Sequence, residues 1–93
     1  MSQHVLSPKV AGTWVAVGFD RPTKHYFLTV LDESTGEDLP VCDEQFRRHD
    51  LLHLLDLAAR FVEGGKIPSG LVRELKTDAH LDYPASNRVM DWR

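Results

Sequence analysis

From Thr13 to Asp20 the chain alternates, with Val15, Val17 and Phe19 on one side and Trp14, Ala16 and Gly18 on the other. A period of two residues is that of a β-strand. Arg21-Pro22-Thr23-Lys24 reads as a turn, its proline presetting φ. His25 to Leu31 is rich in aromatic and β-branched residues and reads as a second strand. Two such strands joined by a short turn predict an antiparallel hairpin. Asp32 to Gly36 forms the next turn, and a short third strand is expected near Asp38 to Cys42. Pro40 would confine that strand to a sheet edge, because it has no N–H for a second neighbour.

The period then changes. Leu51, Leu54, Leu55, Ala58, Phe61 and Val62 recur at helical spacing, which predicts a helix over 50–63 with Asp50 as N-cap and Gly64-Gly65 as its stop. With Leu52, Leu57 and Ala59 included, its apolar arc widens to roughly 220°, against about 100° for a surface helix. Such a helix needs cover on more than one side, and a homodimer is one way to supply it. A second helix is expected over 70–79, with Ser69 as N-cap and Leu71, Val72 and Leu75 as its apolar side. Residues 1–11 and 84–93 read as loosely held arms. The predicted fold class is α+β, with a hairpin or three-stranded antiparallel sheet over about 13–42 packed in two layers on two helices.

Ninety-three residues make one domain, since chains divide only beyond roughly 250 residues. A hydrophobic content of 42% excludes a wholly disordered chain. The net charge of −3 gives no global signal for nucleic acid or an anionic membrane. Cys42 is the only cysteine, which excludes an internal disulfide and any multi-thiolate metal site within one chain. The opening residues Met1 to Lys9 have no apolar h-region, and the longest near-apolar run, Trp14 to Phe19, is far short of a membrane span. A cytosolic, reducing setting is therefore expected, with no membrane partner.

Charge is unevenly distributed. Asp32, Glu33, Glu37, Asp38, Asp43 and Glu44 fall between positions 32 and 44, where there is no Lys or Arg. Because the whole chain is −3, the remaining residues net +3. A block of carboxylates on a turn and an edge strand can meet a basic surface, including one built to hold nucleic acid. The same acids would also discourage edge-to-edge pairing. Trp92 can dock back over the wide helix or anchor a partner, and Tyr26 is a second aromatic of the same kind.

Three other groups of residues suggest chemistry of their own. Arg21 and Lys24 at the hairpin turn, with Arg47 and Arg48 before the helix, could contact phosphates and make a nucleic-acid-binding accessory protein. There is no glycine-rich phosphate loop beside them. His49 and His53, at i and i+4, have the spacing of two zinc ligands on a helix, and a small metal-dependent hydrolase is a further alternative. Asp50 stands where such a motif has glutamate, and no third ligand lies at a diagnostic distance. Cys42 sits beside Asp43 and Glu44, whose charge suppresses a thiolate. No cofactor is implied.

Trp14-Val15-Ala16-Val17-Gly18-Phe19-Asp20-Arg21-Pro22, followed by Tyr26-Phe27-Leu28, resembles the opening of small accessory proteins of bacterial plasmids and integrative elements, in which a W-x-x-x-G-[WF]-D-R-P hairpin precedes paired aromatics. Ile67-Pro68 with Leu71, Leu75 and Asp78 is similar to their closing helix. The middle departs, with Leu39-Pro40-Val41-Cys42 where those proteins continue in a tyrosine-asparagine strand. The resemblance implies a mobile-element setting, and by association an inhibitor of a host defence complex of the anti-CRISPR type. The expectation is a non-catalytic protein-binding module whose partner is a protein, such as a basic nucleic-acid-binding complex.

Overall fold

The computed structural model describes residues 2–20, 22–33, 39–80 and 88–93. The alternating segments form β2 (Thr13–Asp20) and β3 (His25–Asp32), paired antiparallel from Thr13↔Asp32 to Asp20↔His25. β4 (Leu39–Phe46) pairs with β3 and forms one edge of the sheet, as Pro40 requires. It runs four residues beyond the third strand expected from sequence. A register shift between Val30 and Leu31 sets Leu31 opposite Pro40 and Val30 opposite Cys42, so Val41 bulges outward, 55% exposed.

Two further strands lie in segments that read as arms. β1 (Ser2–Leu6) pairs antiparallel with β2, and β5 (Arg88–Asp91) pairs parallel with β1. The five-stranded mixed sheet therefore has the order β4-β3-β2-β1-β5. The arms at 1–11 and 84–93 are corrected at these positions. The reason is visible in β1, whose core-facing residues are Ser2, His4 and Leu6. Two of the three are polar, which erases the hydrophobic alternation that marks a buried strand.

Helices α1 (Leu51–Ala59) and α2 (Leu71–His80) pack against one face of the sheet, α1 over β3 and α2 over β2. Leu6, Val15, Val17, Leu28 and Val30 from the sheet meet Leu54, Leu55, Ala58, Leu71 and Leu75 in one core. α1 stops four residues before the expected Val62-Glu63 end, because the β1–β2 connection captures its continuation. Lys9 N–H donates to the Phe61 carbonyl, Glu63 N–H donates to the Ser7 carbonyl, and Pro8 bridges Val62. Gly64 and Gly65, both at positive φ, shape the turn that follows. Asp50 occupies the N-cap position of α1, but its side chain makes no cap bond; a 3-10 turn over Arg48–Asp50 leads in instead. α2 is preceded by Gly70 at φ 92°, with Ser69 one residue further out. Leu57 and Ala59 are half-buried, whereas Leu52 is 75% exposed, so the wide apolar arc of α1 is covered except at Leu52.

The other face of the sheet has no described helix on it. Val5, Ala16 and Phe27 are buried there yet lie outside the core cluster, beside half-buried Trp14 and Leu31 and exposed Val89. Gly18 lies among them because nothing larger fits. A Cβ there would run into the Ser2 carbonyl oxygen of β1 and come within 2.7 Å of the Phe27 ring. Among the described residues, no helix is long and apolar enough to cross a membrane.

Candidate functional site

The tightest convergence of polar side chains lies where β1, β5 and α2 meet. β1 projects His4 inward beneath α2, and the stripe Leu71–Leu75–Asp78 of α2 turns an acid toward it. His4 is fully buried, and its Nε2 lies 2.6 Å from Asp78 Oδ2. The Trp92 indole N–H donates to His4 Nδ1 at 3.0 Å. An indole nitrogen can only donate, so Nδ1 must be the acceptor and Nε2 must carry the proton given to Asp78. Arg88, from β5, donates to Asp78 Oδ1 at 3.0 Å and also pairs with Glu74. Burial by itself would raise the Asp78 pKa, but hydrogen bonds from His4 and Ser2 and the charge of Arg88 hold the carboxyl below its ordinary range. The Glu74 hydrogen bond raises the Arg88 pKa against the opposing effect of burial.

This arrangement is a clasp. It ties β1 to α2 through buried His4 and Asp78, and β5 to α2 through Arg88 and Glu74, which are partly exposed. A substrate would have to displace Trp92 to touch His4. Trp92 is half-buried, with its ring edge over Gly70 and its backbone N–H donating to the Val5 carbonyl. Trp92 is docked back, but onto His4 of β1 and Gly70 before α2 rather than over the wide helix. Tyr26 is also corrected as an exposed anchor: it is 3% exposed and packs edge-to-face on Phe19.

The acidic segment divides across the fold. Glu37 and Asp38 lie outside the described residues. Asp32 ends β3 and Glu33 is exposed just beyond it, its N–H donating to the Gly12 carbonyl. Asp43 and Glu44 are exposed on the β4 edge, opposite Thr29 and Leu28 and so on opposite sheet faces. On the helix-free face, Asp43 joins Asp20, Gln3, Gln45 and Thr29 around a small hollow of about 210 Å³ beside Phe27. Burial pushes the nearby Cys42 thiol up, and Glu44 and Asp43 push it further, which leaves it protonated. At the opposite edge Asp91 is held at about 2 by the Arg93 side chain and backbone N–H.

Of the basic set, the one member with a described side-chain partner is Arg48. Arg21 lies outside the described residues. Lys24 is exposed at the hairpin tip and Arg47 is exposed before α1. Arg48 donates to the Ala79 carbonyl at 2.8 Å and lies over the Phe19 ring, so its guanidinium closes the end of α2. The two histidines are also used separately. His49 faces Asp50 at 3.5 Å, and His53 packs edge-on against Phe46. Among the described residues, no three His, Cys, Asp or Glu side chains converge where a metal could sit.

Sequence reasoning missed His4, Asp78, Arg88 and Glu74. One signal was present: Asp78 falls three residues after Leu75 and seven after Leu71, on the apolar stripe of its helix, where an acid must have a buried partner. No family model, curated protein or solved structure matches the chain.

Proposed function

We propose that the protein is a non-catalytic protein-binding module that docks a basic partner on the helix-free face of its sheet and the adjoining β4 edge. The observation that carries this reading is the mismatch between composition and cover. Strands apolar on both sides normally have both sides packed. On the face that no described helix covers, Ala16 and Phe27 are buried, but Trp14 and Leu31 are left half-buried and Val89 exposed. Asp20 and Asp43 flank that face, and Glu44 is exposed on the same edge strand but turned to the other face. An apolar centre with acidic surroundings suits a protein surface bearing Arg or Lys around an apolar contact. The clasp around His4 supports a non-catalytic reading, because His4 and Asp78 are buried and satisfied by each other and by Trp92 and Arg88.

The resemblance to mobile-element accessory proteins adds a partner class: a host nucleic-acid-handling complex, whose basic ground the acidic face would occupy. The test compares capture from host cytosol by the native chain and by an Asp43→Lys/Glu44→Lys variant, both shown folded by circular dichroism. A protein retained by the first and lost by the second supports the proposal. Equal retention by both refutes it.

A further inference from the structure

Two hollows run along the outer side of the helix layer, away from the face just discussed. One, of about 320 Å³, lies where the start of α1 meets α2, beside Arg48, Leu51, Leu52, Val72 and Lys76. The other, of about 630 Å³, follows α2 past Val72, Arg73, Lys76 and His80. Val72 and Lys76 line both, so the two hollows adjoin along that side of α2 and together form a shallow trough.

The trough is apolar in its floor and cationic at its rim. Leu51 and Val72 form the floor, and Leu52 stands at the edge. Arg73, Lys76 and His80 recur at i, i+3 and i+7, so they rank along one face of α2 over about 10 Å. The acids of the same helix cannot neutralise them. Glu74 and Asp78 turn to the other side, where they hold Arg88 and His4. Among the described residues Arg73 and Lys76 make no ion pair. The one acid near the trough in an ion pair is Asp50, which faces His49.

From this sorting of charge about α2 we infer that the trough is a second docking site, and that its occupant is an acidic amphipathic segment of a partner protein. Leucine-like side chains spaced three and four apart would fill the two hollows, with Asp or Glu on their flanks meeting Arg73 and Lys76. RNA fits less well, because the floor offers aliphatic side chains and the one aromatic at hand, Tyr26, is buried too deeply to stack a base. An anionic membrane fits less well because Leu52 is the one strongly exposed apolar side chain described along it, too little apolar surface to insert. The site lies apart from the acidic sheet face, so the molecule carries two docking surfaces of opposite charge.

The experiment is a selection from a displayed library of random peptides about 16 residues long, enough for roughly 24 Å of helix. The bait is the full chain, and the recovered peptides are then measured on the native chain and on an Arg73→Glu/Lys76→Glu variant. Recovered peptides should be enriched in Asp and Glu between apolar residues at helical spacing. Their affinity should fall by roughly tenfold or more in that variant. It should also fall in Leu52→Ser and stay unchanged in Asp43→Lys/Glu44→Lys, which separates this site from the sheet face. Peptides without acidic enrichment, or peptides indifferent to the reversal, would overturn the inference. So would phosphatidylserine vesicles or an RNA oligonucleotide binding through Arg73 and Lys76 when no acidic peptide is recovered. Sedimentation at twice the chain mass that reverts to one chain in Leu52→Ser would assign the trough to a second copy and overturn it as well.

Discussion

His4 and Asp78, 74 positions apart in sequence, meet at 2.6 Å inside the fold, and the contact fixes the histidine's tautomer. Trp92 donates to Nδ1, so the proton resides on Nε2. Long-range ¹H–¹⁵N correlation spectra should show Nε2 protonated and Nδ1 bare. In Trp92→Phe the Asp78 carboxylate still accepts from Nε2, so the same tautomer should persist while the Nδ1 resonance shifts with the loss of its donor. A protonated Nδ1 in the native chain would contradict the geometry.

Removing the acid should be far more damaging than an ordinary surface change. Asp78→Ala leaves the buried His4 Nε2–H without an acceptor and Arg88 with only Glu74, and stranding a buried donor in this way costs about 1–3 kcal/mol. Equilibrium urea unfolding checks this. The replacement of Asp56, exposed on α1, should change stability by no more than about 0.5 kcal/mol.

The pH dependence has a definite sign. The Asp78 carboxyl is held below its ordinary range in the folded state, so the folded chain binds fewer protons there than the unfolded chain. Its contribution is fully present above the unfolded carboxyl pKa of about 4 and is lost as pH falls through the lower folded value. Unfolding midpoints measured between neutral and strongly acidic pH should therefore fall in the native chain. The fall should be shallower in Asp78→Asn.

Gly18 is a steric requirement. Gly18→Ala drives a methyl group into the Ser2 carbonyl and the Phe27 ring, so β1 must move away from β2. Overpacking of this kind costs about 1–3 kcal/mol. Because β5 is held through β1, amide exchange should accelerate in Ser2–Leu6 and Arg88–Asp91 before it does in β3.

α1 offers an internal contrast between neighbouring leucines. Leu54→Ala should cost about 2–5 kcal/mol because it opens a cavity in the core. Leu52→Ser, at a site 75% exposed, should cost under about 1 kcal/mol. Thermal melting of the two variants decides it; equal losses would mean that Leu52 is covered in solution.

What was legible in the chain follows from where its physics is local. The β2–β3 hairpin and the two helices carry their signals in adjacent residues, as alternation or as a stripe at helical spacing. β1 does not, because His4 sits inside only by virtue of Asp78, which arrives with α2. β5 is four residues long and begins and ends on charged residues, Arg88 and Asp91, so it has no apolar run to notice. The end of α1 was misplaced because Ser7 and Lys9 decide it, through backbone bonds that leave no trace in side-chain pattern.

The candidate surfaces were legible in part. The acids of β4 stood out by composition, and Asp43 and Glu44 are indeed exposed. That Asp20 and Gln3 would join Asp43 around one hollow depended on sheet order, which sequence does not fix. Arg48 read as a phosphate ligand because its charge was visible and its carbonyl partner on Ala79 was not.

The most direct test of the docking proposal is the rate at which a captured partner associates with the native chain and with Asp43→Lys/Glu44→Lys, measured across ionic strength. An acidic docking face predicts fast association in the native chain that slows steeply with salt, and a slower, salt-insensitive rate in the variant. Equal rates with equal salt dependence in both proteins would contradict it.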